Sequence, residues 1–163
     1  MAWRRPERVA LRPATTDDSD LLLSWANEPS TRAASFRPQR IAAGVHRRWL
    51  AERLASPSVR LLIGAVDATP VGVVRIERDT HGSVEIGISV VEAARRQGLG
   101  RRLLAAGLDA VRDDPVFTGR TLVARVRADN KVSIRLFEGA GFEVREASLC
   151  HGLPCLVFEL ADR

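Results

Sequence analysis

Gly98 and Gly100 fall where an alternating apolar run, Ile86, Ile88 and Val90, gives way to a helical pattern, and Arg95, Arg96 and Gln97 come just before them. Such a turn offers the chemistry of anion binding. The amides of Gln97, Gly98, Leu99 and Gly100 precede or enter the helix without intrahelical partners, and a helix starting near Leu99 aims the positive end of its dipole at whatever sits there. The glycines let a phosphate come close to the backbone. Common nucleotide motifs do not fit: Arg101, Arg102 and Leu103 stand where a dinucleotide fingerprint needs its third glycine, and no Gly-Lys-Ser/Thr end of a phosphate loop follows. Upstream on the same run stands the carboxylate of Glu85, for which a surface ion pair is the plain role.

A second constellation lies downstream, where Asn130 leads a short helix through Ser133 and Phe137 to Gly141 and Phe142. With both in view, the chain resembles the GNAT superfamily of acyl-coenzyme-A-dependent N-acetyltransferases. Arg95, Gly98 and Gly100 match that family's R/Q-x-x-G-x-G/A pyrophosphate motif, and the Asn-to-Gly-Phe segment matches its later one. The resemblance runs from Arg8 to Leu160 and implies acetyl-CoA as cofactor. It places the pyrophosphate against Arg95, Arg96, Gln97, Gly98, Leu99, Gly100 and Arg101, and the pantetheine arm along the backbone of Ile88, Ser89 and Val90. Asn130 and Phe137 are the further cofactor contacts it implies, Asn130 having a helix-capping alternative. It also resembles, more weakly, enzymes that acetylate amino sugars on nucleotide carriers.

Transfer to an amine needs a neutral nucleophile, an acyl carbonyl held in line, stabilisation of the oxyanion and a proton for the leaving thiolate. The resemblance puts Glu85 in the position of a base acting directly or through water. Many members carry a tyrosine general acid where this chain has Phe137, and a chain without tyrosine excludes that mechanism. Ser133, solvent or the thiolate's own basicity is left to resolve the proton. No Ser-His-Asp arrangement accompanies Ser89, so a main-chain role is the better expectation there.

These residues need a frame. Alternation and turn residues predict strands over Arg8–Arg12, Val59–Val66, Val71–Glu77, Ser83–Val90, Thr121–Val126, Phe142–Ala147 and Leu153–Leu160. Helices are expected from Asp17 to a stop at Pro29, from Ala42 to before Pro57, from Leu99 to Asp113, and from Asn130 to Gly139. Residues Glu28 to Arg40 read as a loop or broken helix. Short connectors favour an antiparallel meander, and the last two strands a hairpin around Leu149-Cys150-His151-Gly152. The fold class is α/β: one domain over residues 1–163, its sheet mixed and mostly antiparallel with flanking helices. The resemblance implies a central parallel pair, beginning at Ser83 and Thr121, that splays to admit pantetheine.

Composition is compatible with one compact enzyme domain. At 163 residues and 45% hydrophobic, the chain can bury a sizeable core. The net charge of +5 comes almost wholly from arginine, with Lys131 the only lysine, and arginines interspersed with acidic residues argue against nucleic acid as a partner. No run approaches a membrane span and the start, Met1 to Pro6, lacks a signal peptide's apolar segment, so no membrane partner and a cytoplasmic location are expected. Cys150 and Cys155 are too few for a disulfide scaffold and read as buried or surface cysteines; His46, His81 and His151 form no metal-ligand series. A homodimer is left open.

The family likeness holds the acceptor between the first helices and neighbouring loops, which singles out Asn27, Glu28, Arg32, Phe36 and His46 as acceptor contacts, whereas Trp49 is expected in the core. The leading expectation is acetyl transfer to a primary amine of a polar small molecule. A peptide or protein N-terminal acetyltransferase and a non-catalytic acyl-coenzyme-A-binding module are the alternatives.

Overall fold

The computed structural model describes residues 8–160. The Met1–Pro6 start lies outside them. A seven-stranded sheet carries the fold in the order β1-β2-β3-β4-β5-β7-β6. Its strands are β1 (Ala10–Pro13), β2 (Val59–Val66), β3 (Thr69–Arg78), β4 (Val84–Val90), β5 (Leu122–Arg127), β6 (Phe142–Cys150) and β7 (Leu153–Leu160). All neighbours pair antiparallel except β4 and β5, which are parallel, as expected. Two-residue turns close two of the hairpins. Asp67 and Ala68 join β2 to β3, His151 and Gly152 join β6 to β7, and all four residues have the positive φ that matches strand twist.

The helices are α1 (Ser19–Ala26), α2 (Pro29–Ala34), α3 (Ala43–Ala55), α4 (Leu99–Asp113) and α5 (Lys131–Gly139). Alternation in the strands gives the sheet two apolar faces. On one, Val74, Ile76, Val84 and Ile86 pack under Leu103, Leu104 and Leu108 of α4. Gly107 permits that approach: a Cβ there would lie 2.9 Å from Val74 Cγ1. On the other face, Val59, Leu61 and Ile63 of β2 pack against Leu22 and Trp25 of α1 and Leu50 of α3, with Trp49 half-buried beside them.

Pro29 corrects one expectation. It opens a helix where the sequence suggests a stop, because the first helical position needs no backbone N–H and proline's fixed φ suits it. Another concerns the cysteines, which are not independent: Cys150 and Cys155 form a disulfide across the β6–β7 hairpin, their Cα atoms 5.7 Å apart.

Two buried polar groups, Asp18 and His46, couple folding to pH. Asp18 accepts two hydrogen bonds from Arg12 and one from the Thr15 amide, which lower its pKa to about 2, so its contribution to stability is lost as pH falls from 3.8 through that value. His46 is 3% exposed, and its Nδ1 has no hydrogen-bond partner. Burial lowers its pKa from 6.5, so the unfolded chain takes up a proton there that the folded chain resists, and stability falls as pH drops below about 6.5. Replacing His46 with leucine is expected to flatten the pH dependence of Tm between about pH 7 and 5. Melting both proteins across that range checks it, and parallel curves would assign the slope to other groups.

Candidate active site

Parallel pairing between β4 and β5 covers only Val84↔Leu122 and Glu85↔Val123, after which the strands diverge. The Val84 amide donates to the Thr121 carbonyl, and backbone groups alternate sides along a strand, so those of Ile88 and Val90 face the gap. Among the described residues no strand pairs with that edge. By the same alternation the Ser89 backbone faces β3, with which Ser89 is paired at Val73. Of the three residues expected to meet pantetheine through their backbone, Ile88 is the one whose groups are open, since the Val90 carbonyl already accepts from Arg95 Nε at 3.0 Å.

Just beyond, a one-turn 3-10 helix (Glu92–Ala94) leads into the turn that starts α4. Arg96 and Gly98 adopt positive φ, 63° and 70°, and Gly98 caps α4 without any side chain to cap it. The first-turn amides are therefore left for an outside acceptor. A Cβ on Gly98 would meet no protein atom within 4 Å, and one on Gly100 would lie 3.8 Å from both Leu136 and Val90. The start of α4, the end of β4 and α5 thus enclose the gap on one side, with Arg96, Gln97 and Arg101 exposed around its rim.

The Arg95 side chain is engaged within the protein. Besides Val90, its guanidinium donates to Ser30 Oγ at 2.6 Å, Thr31 Oγ1 at 2.9 Å and Glu28 Oε2 at 3.4 Å. Arg127, at the end of β5, donates to the carbonyls of Ala33 at 2.6 Å and Ser35 at 3.1 Å while pairing with Asp129, whose pKa it lowers. Arg95, in the turn beyond β4, and Arg127, at the end of β5, therefore hold opposite ends of α2, which lies across the gap.

The expected acceptor residues mostly build this arrangement. Asn27 exchanges two hydrogen bonds with the Ile41 backbone, at 2.9 and 2.8 Å. Arg32 donates to the carbonyls of Ala26 and Arg37 and to Ser35 Oγ, and Glu28 accepts from the Glu92 amide. His46 is buried, as described, and so removed from any ligand. Phe36 is half-buried, its ring centroid 6.5 Å from that of His151, which also meets Arg37 Nη2 at 3.2 Å. Phe137 is likewise in the core, 4% exposed and packed on Phe142 and Phe158. Asn130 caps α5, accepting from the Ser133 amide at 3.2 Å, and Ser133 is half-buried with no hydrogen bond from its hydroxyl to the described residues.

Glu85 lies on the face away from α4. One of its oxygens accepts from Arg75 Nη2 at 3.1 Å and the other from Arg125, whose side chain reaches over the opening gap. Arg75, Arg125 and Arg127 were not singled out from sequence, although each interrupts a strand at the alternate position that shares Glu85's face. Depressions of about 370 and 740 Å3 lie at the opposite end of the sheet, by Ser58 and Arg120 and by Leu122 and Leu160, and belong to neither the gap nor the α4 start.

No curated protein matches the chain in sequence. Solved structures match its fold. An aminoglycoside acetyltransferase, AAC(6')-Ib, bound to ribostamycin and coenzyme A superposes with a TM-score of 0.81 at 22% identity, over 94% of this chain and 93% of that one. A ribosomal-protein-alanine N-acetyltransferase from Brucella melitensis gives a TM-score of 0.75 at 24% identity, over 92% and 98%. An uncharacterised Bacillus halodurans protein gives a TM-score of 0.81 at 21%, over 93% and 82%. The acetyltransferase (GNAT) domain model matches residues 8–143. That span takes in the splayed pair, the uncapped start of α4 and the Asn130 helix, and the chain belongs to the GNAT acetyltransferase family.

Proposed function

We propose that the protein is an acetyl-coenzyme-A-dependent N-acetyltransferase acting on a primary amine of a polar small molecule. The observation that carries this reading is the conjunction of a strand gap with an uncapped helix start at its mouth. The residues present fit the cofactor. Amides from Gln97 to Gly100, with Arg96 and Arg101 beside them, suit the pyrophosphate, and the open edge at Ile88 suits the amides of pantetheine. When bound, acetyl-CoA supplies an acetyl group already activated as a thioester.

The protein's own part is positioning. Glu85, held between two guanidiniums near the point where the strands part, is the carboxylate this reading assigns to the incoming amine. Ser133, at the start of α5, is the hydroxyl offered to the departing sulfur. A small acceptor suits the site better than a peptide, because α2 spans the gap and the loop after it reaches the β6–β7 turn through Phe36 and Arg37. A nucleotide-linked amino sugar belongs to that class, though Arg32 is turned into its own loop and offers it no phosphate contact.

Titration with acetyl-CoA and an amine panel spanning amino sugars, nucleotide-linked amino sugars, polyamines, aminoglycosides and short peptides test the reading. Binding without turnover of any amine would leave a cofactor-binding module, and turnover of peptides alone would replace the small acceptor. Within the panel, Glu85→Gln is expected to keep cofactor affinity and lower kcat/KM about a hundredfold with an altered pH profile. An unchanged profile would restrict Glu85 to holding Arg75 and Arg125.

A further inference from the structure

We infer that the acceptor carries an anionic group, a carboxylate or a phosphate, gripped by Arg75 and Arg125 on either side of Glu85. The inference rests on the acetyltransferase reading and narrows its substrate.

Each of these guanidiniums has five N–H donors, yet each uses one nitrogen, on Glu85, and makes no other hydrogen bond to the described residues. Their side chains are 39% and 38% exposed, against 24% for Glu85, so the unused donors face solvent above the sheet. They are not anchored as Arg127 is, at 17% with its donors on Ala33, Ser35 and Asp129. Nor are they compensated. Glu77, the next carboxylate on this face of β3, is taken by Arg53 of α3, leaving two guanidiniums to share one carboxylate.

At Gly87 no side chain stands beside them. Gly87 follows Glu85 on this face, where a Cβ would lie 3.7 Å from Arg75 Nη2, so bare β4 backbone separates Glu85 from Ser89. Arg125 stands on β5 just past the last parallel pair. An acceptor whose anion met these donors would have its amine beside the widening gap. Fork-like guanidinium donors favour carboxylate and phosphate, and the same pair repels a polycation.

The test uses matched amines that differ in one anionic group: ethanolamine with O-phosphoethanolamine, glucosamine with its 6-phosphate, and amino-acid amides with the free amino acids. Spermidine and kanamycin serve as polycations. Binding is measured calorimetrically in the presence of coenzyme A and turnover with acetyl-CoA, for wild type, Arg125→Gln, Arg125→Lys and Arg75→Gln. Each substitution leaves the other arginine on Glu85, and melting curves report folding. In at least one pair the acidic member is expected to bind roughly tenfold or more tightly. That advantage should fall about tenfold in either glutamine variant, mainly through KM, and return in part with Arg125→Lys. The phosphate and carboxylate arms identify which anion is recognised. Equal affinity within every pair, a preference that survives both glutamine substitutions, or tighter binding of the polycations would overturn the inference while leaving acetyl transfer intact. Absence of coenzyme A binding would overturn the reading beneath it.

Discussion

Replacing Gly98 with aspartate is expected to weaken acetyl-CoA binding by about a hundredfold or more, or ~3 kcal/mol. Two effects act together. The residue caps α4 at φ 70°, a conformation that costs an L side chain roughly 1 kcal/mol, although aspartate tolerates it better than most. The larger effect is electrostatic: a carboxylate would stand against unpaired amides and the positive end of the helix, at the place proposed for the pyrophosphate. Gly98→Asn separates the two, since it has nearly the same shape without the charge. A Cβ at this position meets nothing within 4 Å, so the fold should survive either substitution. Titrating coenzyme A into the three proteins is decisive. Aspartate should lose far more affinity than asparagine; similar losses would mean that backbone strain governs, and no loss in either would move the pyrophosphate elsewhere.

What could be read from sequence divides along the range of the interactions. Strand alternation at Ile86, Ile88 and Val90 and the glycine turn at Gly98 are local, and both reappear where expected. The Asn130 cap is local too, and its partner is Ser133. Hydrogen-bond partners far apart in sequence were not legible. Asn27 finds Ile41, Arg95 finds Ser30 and Arg127 finds Ala33, so side chains whose types suited a ligand are engaged in holding α2 and the segment after it. His46 carried a signal that points the other way: it sits one turn before Leu50, and both belong to the buried side of α3. Arg75 and Arg125 become visible only with sheet register, which places them beside Glu85 and which no single strand encodes.

Register and α2 together explain why Arg95 should be among the most sensitive residues of the chain. Its sequence position suggests contact with pyrophosphate, whereas its side chain ties the end of β4 to the start of α2 through Val90, Ser30, Thr31 and Glu28. Arg95→Ala would leave the half-buried Glu28 carboxylate without its cation and free one end of the helix that crosses the gap. The site is partly exposed, so the expected loss is about 2 kcal/mol rather than that of a fully buried pair, a fall in Tm on the order of 5 °C for a chain of this size. Lysine should restore little, because one ammonium cannot reach in the several directions the planar fork does. The two possible roles predict different results without cofactor. A clamp lowers the Tm of the free protein and reduces kcat/KM through misplacement of α2; a pyrophosphate ligand leaves the free protein's Tm unchanged and weakens coenzyme binding alone. Arg127→Ala, which releases the other end of α2, completes a double-substitution cycle. If both arginines hold the same helix, the combined loss of kcat/KM should fall short of the sum of the separate losses, since α2 is already displaced after the first.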